Sequence, residues 1–406
     1  MTNSPIRRSR TFPNLVPVLL IVPAFIAPSA HAQSEQRVLR PYAGLSATWD
    51  SNVLGLSGPA EALALTGSST LSDTARSLVA GVVINKTLGR QRLAAKLDAN
   101  RTRFDRLSQL DYQGYGASAD WLWALGNDWD GKAGYSRTYT LAPFTNFHSP
   151  ERNTYTVERT TANARWLLAS DWRLRAGASR YGVDYELPLQ RRFNRKENGS
   201  EIGIDYLARS GNLISLQWRR SDGRFPNLVD GQASGFRQDQ LELKANWQLS
   251  GKTNVDFVGG RVKRVHPGES ERDFHGYNGR VTTKMTVSGK TILSASIWRE
   301  TGVFDDASTS YSTNRGANLA GRWAVTDKTS IEGSWSRERR DFTRPLRLAA
   351  LPDYRDTLKT AQLSLSYAAS THVDMQLGLV RSNKLTSNGF GEYGRRAATA
   401  LARYRF

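Results

Sequence analysis

Apolar and polar residues alternate along much of this chain, and the alternation is clearest at its end. One face of an extended strand would carry Ala398, Ala400, Ala402, Tyr404 and Phe406, and the other Thr399, Leu401, Arg403 and Arg405. Side chains in a strand alternate with period two, so such a strand can place one face against lipid and the other in a wet lumen. The stretch looks like the closing strand of a bacterial outer-membrane β-barrel, and we predict that Tyr404 and Phe406 form its barrel-assembly signal.

Three internal segments show the same alternation between an apolar and a polar face. In these segments Leu241, Leu243, Ala245 and Trp247 oppose Glu242, Lys244 and Asn246; Trp172, Leu174, Ala176 and Ala178 oppose Arg173, Arg175, Gly177 and Ser179; and Ala361, Leu363, Leu365 and Tyr367 oppose Thr360, Gln362, Ser364 and Ser366. Charged groups are costly against lipid and stable in a water-filled lumen. The charged faces are therefore predicted to point inward.

Short turn sequences rich in Gly, Asn, Asp and Ser recur at intervals of roughly forty residues. They lie at 88–90, 126–128, 169–171, 210–212, 250–252, 288–290, 326–328 and 370–372. Longer polar stretches alternate with them, at 50–74, 105–109, 141–153, 185–197, 222–234, 265–272, 302–310, 340–356 and 384–390. The alternating segments between are about 10–14 residues long, as tilted membrane strands require. This rhythm predicts an all-β transmembrane antiparallel up-and-down barrel of about eighteen strands, with sixteen as the alternative, short periplasmic turns and long extracellular loops.

Tryptophan placement favours the barrel over a soluble β-propeller, whose repeat is also about forty residues. Seven tryptophans lie within about five residues of a predicted short turn, as an aromatic girdle at one membrane interface would require. They are Trp121, Trp123, Trp129, Trp166, Trp172, Trp247 and Trp323. A propeller blade needs four short strands per repeat, whereas each repeat here holds two long ones.

The first residues have the pattern of a secretory signal. Arg7, Arg8 and Arg10 precede an apolar run that is interrupted by prolines, and the small residues Ala30 and Ala32 flank His31. We predict a cleaved signal peptide over 1–32, a short periplasmic segment over 33–39 and the outer-membrane barrel over 40–406. No later stretch has the ~20 apolar residues of a spanning helix, so the chain would cross a membrane as strands.

Composition narrows the chemistry. The chain has no cysteine, which excludes disulfides, thiol catalysis and cysteine metal sites. Its formal net charge is +19, spread along the chain without a long basic run. Such charge suits lipopolysaccharide phosphates or an acidic glycan better than nucleic acid in an exported protein.

No cluster of side chains has the spacing of a metal site, and no cofactor is expected. Four histidines remain after cleavage: His148, His266, His275 and His372. Outer-membrane hydrolases place Ser/His or Asp/His pairs at a barrel rim, and His148 is the candidate for such a site. Solvated loop histidines are the simpler interpretation, and we expect no enzymatic activity.

The predicted inward faces carry many basic side chains and several acidic ones. The predicted pore-lining residues are Lys96, Lys132, Arg159, Arg165, Arg173, Arg175, Arg219, Lys244, Arg280, Lys284, Arg322 and Arg403. The acids on these faces are Asp98, Asp120, Asp205, Glu242, Asp256, Glu332 and Asp374. Such a lining would hold water and favour anionic solutes, unless the charges pair across strands and serve only to stiffen the wall.

Several short segments resemble the EpsL-like outer-membrane β-barrels of exopolysaccharide operons. They are Asp-Ser-Asn-Val-Leu-Gly-Leu at 50–56, Leu-Ser-Asp-Thr at 71–74, Gly-Arg-Gln-Arg at 89–92, Leu-Asp-Tyr at 110–112, Glu-Arg-Asn at 151–153 and Ser-Ile-Trp-Arg-Glu at 296–300. The resemblance implies a place beside polysaccharide synthesis and export genes, within a large superfamily of β-barrel porins. It carries no catalytic residue over to this chain.

Together these observations predict a porin-like aqueous conduit for a secreted polysaccharide, with the loop at 50–74 as the candidate constriction. A non-conducting anchor for the export machinery and a barrel enzyme that modifies polysaccharide or lipid are the alternatives. Expected partners are outer-membrane lipid and lipopolysaccharide, a neutral or acidic exopolysaccharide, the barrel-assembly machinery and periplasmic export proteins. No nucleic-acid partner is expected.

Overall fold

Eighteen strands make up almost all of the regular structure in the computed structural model, which describes residues 38–144, 147–228, 235–302, 311–343, 354–389 and 391–406. The strands are β1 (Leu39–Asp50), β2 (Asp73–Leu88), β3 (Gln91–Phe104), β4 (Tyr112–Leu125), β5 (Trp129–Leu141), β6 (Thr154–Ala169), β7 (Trp172–Tyr185), β8 (Arg195–Leu207), β9 (Leu213–Arg224), β10 (Gly235–Gln248), β11 (Thr253–Val265), β12 (Phe274–Thr286), β13 (Thr291–Gly302), β14 (Tyr311–Ala324), β15 (Thr329–Thr343), β16 (Tyr354–Ala368), β17 (Val373–Thr386) and β18 (Tyr393–Arg405). The described parts of the loops hold one helix, α1 (Pro59–Thr66), and three short 3₁₀ turns. In this part of the chain no helix is long and apolar enough to cross a membrane.

Each strand pairs antiparallel with its neighbours in sequence, and β18 pairs with β1, so the sheet closes on itself. The closing register sets Thr48 opposite Thr399, and their hydroxyls hydrogen-bond at 3.0 Å. Closure leaves no strand edge unpaired, which a lipid environment requires. The predicted antiparallel up-and-down barrel of eighteen strands is confirmed.

Strand parity separates two kinds of surface. Two residues that are paired across an antiparallel ladder point to the same side of the sheet. The register of each strand pair therefore shows which residues of all eighteen strands share one face of the wall. The outward face holds exposed apolar side chains such as Leu45, Ile297 and Leu377, with 64%, 62% and 56% of their area accessible. The opposite face holds serines, threonines, glycines and most of the ion pairs. An apolar exterior and a polar interior are the pattern of a barrel immersed in lipid.

The short turns join the strands at one end of the barrel, and the outward face is rich in tryptophan beside them. Of the seven tryptophans that predict a girdle, Trp121, Trp129, Trp166, Trp172, Trp247 and Trp323 are exposed. Trp123 is half-buried, because its ring lies over Gly131 on the facing strand, where a Cβ would come within 2.4 Å of it.

The strands extend further toward the loop end than the sequence predicts. The segment 340–356 was expected to be a loop, yet β15 runs to Thr343 and β16 begins at Tyr354. Lys384, expected in the loop 384–390, lies in β17. These strand ends carry charged residues on both faces. Apolar and polar residues therefore do not alternate there, and the sequence does not reveal that the strand continues.

Some predictions fall outside the described residues. The predicted signal peptide (1–32) and nearly all of the predicted periplasmic segment (33–39) are among them, as are parts of the loops at 141–153, 222–234, 302–310, 340–356 and 384–390.

A small hydrophobic core covers part of the loop end. Leu54, Leu56 and Ala62 from the first loop are buried against Leu107 and Leu110 of the β3–β4 loop. Ser57 fixes the start of α1, since its backbone N–H and its hydroxyl both donate to Glu61 Oε2 at 2.7 Å. These hydrogen bonds to the carboxylate lower the pKa of Glu61. The first loop is therefore a folded element.

Candidate functional site

The barrel interior is the candidate site, because it gathers the polar and charged side chains of all eighteen strands. The twelve basic residues that were predicted to line a pore all lie on the interior face, as the register of their strands shows. Several interior side chains keep substantial accessible area, for example 50% for Asp120 and 29% for Lys96. Water can therefore reach this face, while the role of the twelve in a pore stays a prediction.

Most of these basic residues form ion pairs with acids of the same face. At least nine of the twelve have such a partner: Lys96 with Asp98 (2.7 Å), Lys132 with Asp120 (2.8 Å), Arg219 with Glu201 (2.8 Å), Arg280 with Glu300 (2.8 Å), Arg403 with Asp374 (3.0 Å), Arg175 with Asp205 (3.4 Å), Arg322 with Glu332 (3.4 Å), Lys244 with Glu242 (3.7 Å), and Arg165 with Asp130. Of the remaining three, Arg159 lies over the ring of Tyr181 at 5.2 Å, Arg173 faces Asp205 across the β7–β8 ladder, and Lys284 faces Asn254 across the β11–β12 ladder. The interior therefore presents alternating charge.

The densest part of this lining crosses β7 to β10. Arg175 contacts Asp205 and donates to Gln217 Oε1 at 2.7 Å, and Gln217 in turn donates to Glu242. Gln217 is 1% exposed, so this part of the wall is tightly packed. Glu201, which the sequence analysis did not select, accepts from Arg219 and so links β8 to β9. Such a network of satisfied donors and acceptors holds its side chains rigidly.

A second cluster lies on β15 to β17 near the loop end. The guanidinium of Arg340 donates to both oxygens of Asp356, at 2.7 and 2.6 Å, in the bidentate geometry typical of arginine and carboxylate. Lys384 Nζ is 3.9 Å from the same carboxylate. On β13, Trp298 donates to Glu338 at 3.0 Å. The sequence predicted loops at three of these positions, Arg340, Asp356 and Lys384. Glu338 lies two residues before Arg340 in β15, and the sequence did not single it out.

Two loops meet across the mouth of the barrel. His148, in the loop between β5 and β6, contacts the Leu54 carbonyl of the first loop at 2.7 Å through Nδ1. The same imidazole is 6.4 Å from the ring of Tyr393 at the start of β18. Along the wall, β6 and β18 are six strand positions apart. The loops therefore cross part of the opening, and the predicted constriction at 50–74 lies within this crossing.

The position of His148 does not support the hydrolase alternative. A catalytic histidine uses Nδ1 to hold a carboxylate and Nε2 to activate a nucleophile. Here Nδ1 must donate to a backbone carbonyl, because a carbonyl oxygen only accepts. His266 is buried 3.7 Å from Asp273, His275 lies in β12, and His372 stacks on Tyr404 beside a turn. Among the described residues no group of His, Asp or Glu side chains is arranged to hold a metal ion.

The contact between His148 and the first loop is expected to weaken in acid. Burial lowers the pKa of His148, and the nearby Lys384 lowers it further. Protonation is then easier in the undocked loop, so docking is complete above the ordinary pKa of about 6.5 and is lost as the pH falls below it. We expect amide hydrogen exchange at residues 52–57 to accelerate between pH 7.5 and 5, beyond the change in intrinsic rate. His148→Gln keeps a donor and does not titrate, so an identical acceleration in that variant would contradict this account.

The outward face carries a belt of basic residues that the sequence analysis missed. All of them lie in the halves of the strands nearest the loops, and we call this belt the basic rim: Arg76, Arg101, Arg103, Arg137, Arg180, Lys196, Arg220, Arg224, Arg237, Arg261, Lys263, Arg299, Arg315, Arg337, Arg339, Arg355, Lys359, Arg381 and Arg396. The outward acids of the same strand halves are fewer: Glu158, Asp184, Asp222, Asp239 and Asp341. Elsewhere on the outward face of the described strands, Lys86 is the single charged residue. Much of the net positive charge therefore lies outside the lumen, at one end of the barrel.

Solved structures with a similar overall fold include the following two. The crystal structure of a BenF-like porin from Pseudomonas fluorescens Pf-5 has 9% sequence identity and a TM-score of 0.51, covering 91% of this chain and 99% of that one. The structure of OccK9 (OpdG) from Pseudomonas aeruginosa has 12% identity and a TM-score of 0.50, covering 91% and 98%. Neither a protein-family model nor a curated protein matches the sequence. The closed topology, the apolar exterior and the similarity of fold together indicate that this chain is a porin-like β-barrel of the bacterial outer membrane.

Proposed function

We propose that the barrel is an aqueous conduit for an exopolysaccharide that leaves the cell. The observation that carries the proposal is the closed eighteen-strand wall whose interior is polar, charged and reached by water. Barrels of this strand number are wide enough to leave an aqueous channel. The polysaccharide context comes from the resemblance of the segments at 50–56, 71–74 and 296–300 to EpsL-like proteins.

Alternating charge suits a hydroxyl-rich solute. A sugar hydroxyl both donates and accepts, so it can bridge a guanidinium and a carboxylate that already face each other, such as Arg280 and Glu300. Because most interior bases are paired, the preference for anionic solutes should be weaker than the count of arginines suggests. A chain of neutral or mildly acidic sugars fits this lining.

A non-conducting anchor is the second candidate, and the loops across the mouth favour it. The first loop is held by its hydrophobic core and by Asn52, whose side-chain amide donates to Leu56 O at 2.8 Å and to Gly394 O at 3.2 Å. A loop held this firmly would narrow the opening of the barrel. If the opening were fully closed, the protein could not conduct, and it would serve to bind partners of the export machinery.

Two measurements separate these functions. Single-channel recording in planar bilayers should show steady ion conductance for the conduit, and its absence would favour the anchor. Deletion of the gene should cause the polysaccharide to accumulate in the periplasm. Secretion that continues unchanged after deletion would exclude an export role of either kind.

A further inference from the structure

We propose that one sector of the basic rim, on β13 to β18, binds the phosphate groups of a phosphorylated glycolipid in the outer leaflet, as lipopolysaccharide provides. This sector comprises Arg299, Arg315, Arg337, Lys359, Arg381 and Arg396, and we call it the rim patch. It is a binding site separate from the lumen, and it does not depend on what the lumen carries.

The register of the strands places like charges directly opposite each other in the rim patch. Arg315 faces Arg299 on one side, Arg337 faces Lys359, and Arg381 faces Arg396. Cross-strand pairs of like charge destabilise a sheet, because the side chains leave the backbone only about 5 Å apart. A polyanion bound between them would remove this repulsion.

Four of these side chains have no partner of their own. No hydrogen bond or ion pair to the side chains of Arg337, Lys359, Arg381 and Arg396 occurs among the residues that the structure describes. All four are exposed. Elsewhere in the rim Arg220 pairs with Asp239, and Arg237 with Asp222. The rim patch therefore has basic side chains in excess, which can bind phosphate, and arginine does so through two parallel hydrogen bonds.

The position of the rim patch selects a lipid as the occupant. On each strand an apolar outward residue lies two positions from the basic residue, on the side of the short turns, as Trp335 lies beside Arg337 and Ala361 beside Lys359. Two residues of a strand span about 6.6 Å. The cations thus lie just beyond the hydrocarbon boundary, where the phosphates of a lipid headgroup lie, and they face the bilayer. A soluble glycan in the lumen would not meet them.

The test is a titration of the purified mature protein, in neutral detergent, with bisphosphorylated lipid A. The rim variant combines Arg337→Gln, Lys359→Gln, Arg381→Gln and Arg396→Gln. The control variant removes four charges at the short turns, through Arg209→Gln, Lys252→Gln, Lys290→Gln and Lys328→Gln. Native mass spectrometry measures binding, and thermal unfolding measures stability with and without lipid A.

We expect the rim variant to bind lipid A about tenfold or more weakly than the wild type, since several charge-assisted hydrogen bonds are lost. Its unfolding temperature without lipid should rise, because the repulsion is gone, and the further rise on adding lipid A should disappear. The control variant should bind like the wild type. Equal binding by all three proteins, or equal binding of dephosphorylated lipid A, would overturn the proposal. Stabilisation by an acidic polysaccharide but not by lipid A would also overturn it.

Discussion

Replacing Arg340 with methionine is expected to lower the free energy of unfolding of the barrel by about 3–5 kcal/mol, the usual cost of breaking a buried ion pair from one side. The side chain of Asp356 is only 2% exposed, and the bidentate contact from Arg340 satisfies both its oxygens. Without the guanidinium, the one cation left beside this carboxylate among the described residues is the more distant Lys384, 3.9 Å away. Urea titration of the barrel in lipid vesicles, followed by tryptophan fluorescence, measures the change.

The neighbouring residue offers a matched control. Arg339 points outward and pairs with Asp341 at 3.1 Å, where the two side chains are 42% and 31% exposed. Exposed pairs of this kind contribute about 0–1 kcal/mol, so Arg339→Met should have a small effect. Adding Asp356→Asn to Arg340→Met should recover part of the loss, since it removes the unpaired charge. Equal effects of the two single variants would mean that water hydrates Asp356.

Replacing residues 57–68, which include α1, with a short Gly/Ser linker is expected to raise single-channel conductance by a factor of about two or more, since pore cross-section limits ion flow. The contacts of Asn52 and Leu54 would remain, so only the part of the first loop beyond its anchor is removed. Recording in planar bilayers gives the result directly.

A second loop provides the control for this deletion. Residues 187–193 contain the 3₁₀ turn Pro188–Phe193, which packs on β7. Shortening that loop should leave conductance close to that of the wild type. Unchanged conductance after removal of α1, in a protein that still migrates as a folded barrel, would show that the first loop does not narrow the path.

Residue parity was enough to predict the wall. The alternation at 241–247 and 361–367 depends only on which face meets lipid, and it can be recognised within one strand. The short turns could be recognised in the same way, from residues that favour tight turns. Strand number, closure and the interior location of Arg175 or Lys244 follow from these local patterns.

Pairing inside the barrel could not be predicted, because it depends on register between strands. Arg175 contacts Asp205, thirty residues further along the chain, and nothing within β7 identifies this partner. Glu201 and Gln217 were missed for the same reason. The sequence predicted a mixed, net-basic lining and left open whether its charges pair across strands, because it could not show which acid meets which base.

The strand ends near the loops were misassigned because the outward face changes its character there. The predicted loop began at Arg340, which ends a run of four charged residues, Arg337-Glu338-Arg339-Arg340, in which polarity does not alternate. In the structure Glu338 and Arg340 face the interior, and Arg337 and Arg339 face outward. Beyond the hydrocarbon an outward charge is no longer costly, so period-two alternation of polarity ends before the strand does.

The central claim is that successive residues of one strand face the water-filled lumen and the lipid alternately, and that the lumen conducts ions. Gln362 and Leu363 lie next to each other in the middle of β16, on the interior and outward faces. The chain has no cysteine, so Gln362→Cys and Leu363→Cys each introduce a unique thiol. A charged, water-soluble thiol reagent added during bilayer recording should react with Gln362→Cys and change its conductance, while Leu363→Cys stays unaffected. Equal reaction at both positions, or no conductance from either protein, would contradict the account.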